Sequence, residues 1–153
     1  MEIIELLNRI YPQDQIFVHN PRFKKDSSML IIDCVVPKNS GYAIKPIPYV
    51  TAENYVRILS QASYLLSYHI IQNNLTEINM SVKDFLQALE GFQLYYRNLS
   101  LIFHERVERG RIFEMELNLK DIRMIHRLQD FIIFTFANKR TVISGEMSFV
   151  YVG

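Results

Sequence analysis

The spacing of hydrophobic positions changes partway along this chain. In "EIIELLNRIYP" (2–12), Ile3, Leu6, Leu7 and Ile10 recur at helical spacing and Pro12 closes the run, which predicts a short N-terminal helix. "NPRFKKDSS" (20–28) shows no period and reads as loop. "SMLIIDCVVP" (28–37) is apolar, β-branched and ended by proline, a first strand. "KNSGYAIKPIPYV" (38–50) holds Gly41, Pro46 and Pro48 and reads as a loop leading into a long helix. Thr51 suits the N-cap of that helix, with Glu53 and Asn54 in a first turn where the dipole favours acidic and polar groups. Asn73 and Asn74 end it. "SVKDFLQALEG" predicts a shorter helix, capped by Ser81 with Asp84 three residues on and stopped by Gly91.

After Gly91 the period becomes two. "FQLYYRNLSLIFHERV" alternates, and "RIFEMELNLK" sets Phe113, Met115, Leu117 and Leu119 against Glu114, Glu116, Asn118 and Lys120. "DFIIFTFA" is almost continuously apolar, as expected of a strand covered on both faces, and "TVISGEMSFVYV" follows a turn at "NKR". The chain therefore predicts one strand, one long helix, then three or four long antiparallel strands. Their apolar final members are expected to leave an exposed sheet edge.

The long helix carries the puzzle. From Ile58 to Thr76 it has no formal charge except at His69, yet Ser60, Gln61, Ser63, Tyr64, Ser67, Tyr68 and Gln72 punctuate it. A bilayer span needs about 20 predominantly apolar residues, and hydroxyls and amides at nearly every turn do not make one. A helix that is apolar nearly all round is buried. A twisted antiparallel sheet curled around it supplies the cover. The fold class expected is α+β, one domain over 1–153, with an N-terminal helix and loop (1–27) and a core (28–153) in which the sheet wraps one long central helix.

Composition narrows the function by exclusion. The chain has 153 residues, 49% hydrophobic and 22% charged, with a net charge of +1, so no basic excess argues for nucleic acid or a membrane surface. Its one cysteine, Cys34, sits in an apolar run and forms no internal disulfide; with no leader peptide visible, the expected compartment is the cytoplasm. The histidines at 19, 69, 104 and 126 are scattered. No zinc-spaced Cys/His cluster, glycine-rich phosphate loop or G-x-S-x-G elbow occurs, so neither a metal nor a cofactor is expected.

Strand, buried helix, then meander is the order of the hot-dog fold. "TAENYVRILSQASYLLSYHI" followed by "MELNLKDIRMIHRLQDFIIFTFANKRTVISGEMSFVYV" resembles the FcoT-type hot-dog thioesterases, which hydrolyse long-chain fatty acyl-CoA. The similarity covers roughly residues 40–152, with a weaker echo in "ELLNRIYP"; its landmarks are the Tyr42 loop, Gln61 with Tyr64, "LKDI" (119–122) and "SGEMSF". The resemblance implies a homodimer, or an assembly of dimers, with sheets joined edge to edge. It also implies an acyl-CoA or acyl-carrier-protein thioester held beside the N-terminal half of the helix. Thr51 and Ser60 stand where the family's pattern has asparagine, and a hydroxyl offers one donor where an amide offers two.

Thioester hydrolysis needs an oxyanion donor, a held water and a proton acceptor. The first-turn N–H groups at 51–54 are candidate donors, Gln61 and Ser60 candidate holders of the water, and Glu53 the candidate base. Thr51 and Tyr42 complete the candidate catalytic set, and Asn54, Tyr64 and Tyr68 the substrate-binding one. Each has a plainer reading: Glu53 as a dipole-favoured surface carboxylate, Tyr42 as a packing residue, Tyr64 and Tyr68 as core contacts, His69 as a core histidine. Arg106, Arg109 and Arg111 could meet coenzyme A phosphates or form a solvated turn. Two alternatives to a thioesterase stay open. One is a non-catalytic acyl-thioester-binding protein; the other is a 3-hydroxyacyl thioester dehydratase, which needs a histidine before or at the helix start, where His69 does not lie.

Overall fold

A computed structural model describes the chain except residues 1, 4, 25, 26, 40–43, 46, 127–129, 140, 141 and 153. Helix α1 (Glu5–Asn8) and a 3₁₀ turn (Gln13–Gln15) lead into strands β1 (Val18–Phe23) and β2 (Met29–Cys34). Helices α2 (Ala52–Gln72) and α3 (Val82–Glu90) follow, then β3 (Leu94–Phe103), β4 (Phe113–His126), β5 (Asp130–Lys139) and β6 (Ile143–Val152). All pairings are antiparallel, and the six strands lie in the order β1-β2-β4-β5-β6-β3. The chain is thus α+β, with α2 packed on one face of the sheet.

Both helix starts follow from their sequences. Thr51 accepts from the N–H of Asn54 and the Asn54 side chain accepts from the N–H of Thr51; Ser81 and Asp84 repeat the exchange at α3. Asn73 caps the end of α2, and Asn74 turns the chain at φ 52°. Beneath α2 the sheet presents Ile32, Met115, Leu117, Phe134, Phe136 and Phe149, all buried. Phe149 stacks on Phe134 at 4.8 Å and on Phe136 at 5.6 Å. At Gly145 β3 comes so close that a Cβ would lie 2.0 Å from the carbonyl oxygen of Ser100. Among the described residues no helix is long and apolar enough to cross a membrane.

Two expectations are corrected. The segment expected as loop from residue 20 contains most of β1, which bonds to β2 from Val18 to Phe23. Pro21 hid it: a proline is tolerated on an edge strand at an irregularity, and here the register shifts between His19 and Arg22, with Asn20 at φ 48°. The apolar final strands do not form the edge either. β5 and β6 are interior, and the edges are β1 and β3. That interior position is why β5 needs apolar residues on both faces, with Ile133 buried on one and Phe134 on the other.

A candidate site at the start of the long helix

The structure divides the expected site residues into three groups. Gln61 and Tyr68 belong to the packing. Gln61 is wholly buried; its Oε1 accepts from the N–H of Phe17 at 2.9 Å and its Nε2 donates to the carbonyl of Gln15 at 2.7 Å. Arg57 joins the same latch, bonding Gln15 and lying over the Phe17 ring at 5.4 Å. The amide expected to hold a catalytic water therefore holds the segment after the 3₁₀ turn. Tyr68 is buried. His69 stacks on Phe23 at 4.1 Å, and burial lowers its pKa, in keeping with a core histidine.

Ser60 and Tyr64 form the second group, around a cavity of about 30 Å³ that Ser63 and Tyr96 also line. Ser60 Oγ donates to the carbonyl of Val56 at 3.0 Å and shares a hydrogen bond with the Tyr96 hydroxyl, which reaches the same carbonyl at 3.1 Å. Burial raises the pKa of Tyr96 to about 12, with the bond from Ser60 opposing it, and burial raises that of Tyr64 as well. Both phenols are neutral donors. The space suits a single water; it does not admit a thioester.

Thr51, Glu53 and Asn54 form the third group, at the start of α2, where a groove of about 450 Å³ opens. Its wall combines the aromatic rings of Tyr49, Tyr55 and Phe103 with Thr51, Ala52 and His104. The capping box consumes the N–H of Asn54. The N–H groups of Ala52 and Glu53 have no acceptor among the described residues, so they add to the positive end of a 21-residue helix. Glu53 is exposed in that first turn. Tyr42 lies outside the described residues.

Two groups here, Tyr55 and His104, carried no role in the sequence, and a third, Arg109, carried one only as a contact for coenzyme A phosphates. The Tyr55 ring packs against Phe103 at 5.4 Å and Phe113 at 5.9 Å, is only 2% exposed, and its buried hydroxyl has no partner among the described residues. His104 Nε2 is bonded to Ser144 Oγ at 2.6 Å, which leaves Nδ1 for a water. Arg109 is buried, donating from Nε to the carbonyl of Tyr49 at 3.1 Å and from one terminal nitrogen to Asn54 Oδ1 at 3.3 Å. Its neighbours behave as a solvated turn: Arg106 pairs with Glu108, and Arg111 with Glu105. Position alone separates these arginines, and it depends on the pairing of Tyr49 with Glu108 across the loops. Among the described residues no cluster of histidine, cysteine or carboxylate side chains could hold a metal ion. No family model and no curated protein matches the chain.

Proposed function

We propose that this chain is a hot-dog domain that binds fatty acyl thioesters, of coenzyme A or a carrier protein, and hydrolyses them at the start of α2. The observation that carries the reading is the N–H of Ala52, without an acceptor among the described residues, at a groove lined in part by Tyr49, Tyr55 and Phe103. A thioester carbonyl bonded there places its oxygen at the positive helix end, where charge develops as water adds. The attacking water gives its proton to a base as its oxygen adds to the carbonyl carbon. Collapse of the adduct breaks the C–S bond, the base returning the proton to the departing sulfur to give the thiol and the fatty acid. His104 on the groove wall and Glu53 in the first turn of α2 are the candidates to take the proton, since Glu105, on the same wall, is paired with Arg111. The order β2, α2, β3 and then the meander β4 to β6, with β3 returning to the edge beside β6, supports the hot-dog assignment.

Two copies complete the assembly. Edge strand β3 exposes Tyr95, Leu99, Ile102 and Phe103, with Ile102 59% exposed. A ten-residue edge strand carrying these exposed apolar side chains is a template for pairing. A two-fold axis along it makes a homodimer and brings the partner beside the groove at Phe103.

A second reading, acyl-thioester binding without turnover, is favoured by one observation: both ends of the Gln61 amide are committed to backbone. A panel of acyl-CoAs of increasing chain length, read with a thiol-trapping dye, separates the two. Thiol release that saturates with substrate supports hydrolysis. Saturable binding with no thiol release supports the second reading.

A further inference from the structure

Arg109 presents an electrostatic problem independent of any thioester. A guanidinium stays charged in a protein. This one is 6% exposed, and among the described residues no carboxylate is ion-paired with it. Its head lies at the start of α2: the Asn54 oxygen that accepts from Arg109 also accepts from the N–H and the hydroxyl of Thr51, each at 2.9 Å. Three donors converge on one neutral oxygen. Among the described residues one terminal nitrogen of the guanidinium is buried with no acceptor, and the N–H groups of Ala52 and Glu53, on the same turn, have none either. A buried cation behind the positive end of a long helix, short of both acceptors and counter-charge, fits a ligand that brings negative charge.

We propose that the start of α2, with Arg109 behind it, is an anion-binding site that takes an oxyanion group, a carboxylate or a phosphate. The rings of Tyr49, Tyr55 and Phe103 in the groove beside it suit an oxyanion at the end of an apolar chain, and the charged residues of the same wall are paired, Glu105 with Arg111 and Arg106 with Glu108. The inference stands whether or not the chain hydrolyses thioesters.

The test is titration calorimetry of the full chain with octanoate, with inorganic phosphate and with octanol as the uncharged control. Saturable binding of either anion, and not of octanol, is expected. Tighter octanoate identifies the carboxylate of an apolar chain, and tighter phosphate identifies a phosphate; both support the site. Asn54→Asp supplies the missing negative charge with almost no change of shape and keeps a good residue for a first helical turn. It should weaken anion binding about tenfold or more while the melting temperature holds or rises. Arg109→Gln, checked by circular dichroism for a retained fold, should weaken binding as well. No saturable binding of either anion, or unchanged binding in a folded Asn54→Asp variant, overturns the proposal and leaves Arg109 as a clamp completed by water.

Discussion

The side chain of Gln61 accepts the backbone N–H of Phe17 at 2.9 Å, tying the middle of α2 to the chain just before β1. That bond and its companion to the Gln15 carbonyl at 2.7 Å satisfy two backbone groups in the strand-less stretch that covers this side of the helix.

Replacing Gln61 with leucine keeps the volume and orphans both backbone groups. Each buried unpaired group costs about 1–3 kcal/mol, so Gln61→Leu should lose about 3 kcal/mol in urea unfolding. A loss well under 1 kcal/mol would show that the latch contributes little.

Tyr55 should behave in the opposite way. Its unpartnered hydroxyl is buried, so Tyr55→Phe should gain roughly 1 kcal/mol at neutral pH. Burial, with smaller contributions from Cys34 and Glu105, raises its pKa from 10.0 to about 12. The unfolded tyrosine ionises first, so stability is full below pH 10 and falls as pH rises towards about 12. Tyr96, raised to about 12 chiefly by burial, adds to the same fall. Melting curves across that window should drop less steeply for Tyr55→Phe than for the wild type; parallel drops would refute the assignment to Tyr55.

The edge at β3 predicts assembly. Ile102→Glu alters an exposed side chain and should leave the protomer folded while moving the sedimentation coefficient from dimer towards monomer. A wild-type monomer at micromolar concentration sinks the edge-to-edge proposal.

The base can be identified by paired neutral substitutions. Both side chains are exposed, but His104 lines the groove and Glu53 does not. His104→Gln should therefore lower kcat on an acyl-CoA about 10²–10⁴-fold, the usual contribution of a positioned base, and Glu53→Gln should lower it far less. The reverse order would move the role to Glu53.

Much of this architecture was legible because local signals agreed with tertiary burial. Thr51 with Asn54, and Ser81 with Asp84, mark the two long helices, and Phe113 to Leu119 mark the inward face of β4. β1 was hidden because proline and a left-handed asparagine suppress the strand signal while an edge tolerates both. Strand order is non-local: no pattern within β3 says that it returns to pair with β6 at the far edge. The site was half visible for the same reason. Thr51 and Asn54 announce the start of α2, but the polar stripe that follows divides between a backbone latch at Gln61 and a hydroxyl cluster at Ser60. Tyr55 and His104 reach the groove, and Arg109 the start of α2, only through packing between distant segments.

The most direct measurement of the central claim removes one N–H group. Ala52 is the first helical residue, a position where proline is well tolerated, and it is exposed. Thr51 before it is already extended, at φ −94° and ψ 167°, as a residue preceding proline must be. Ala52→Pro therefore deletes the proposed oxyanion donor and leaves the capping box in place. Thiol release from an acyl-CoA should fall about 10²–10³-fold, with the melting temperature nearly unchanged. Hydrolysis by folded Ala52→Pro at the wild-type rate would contradict the account.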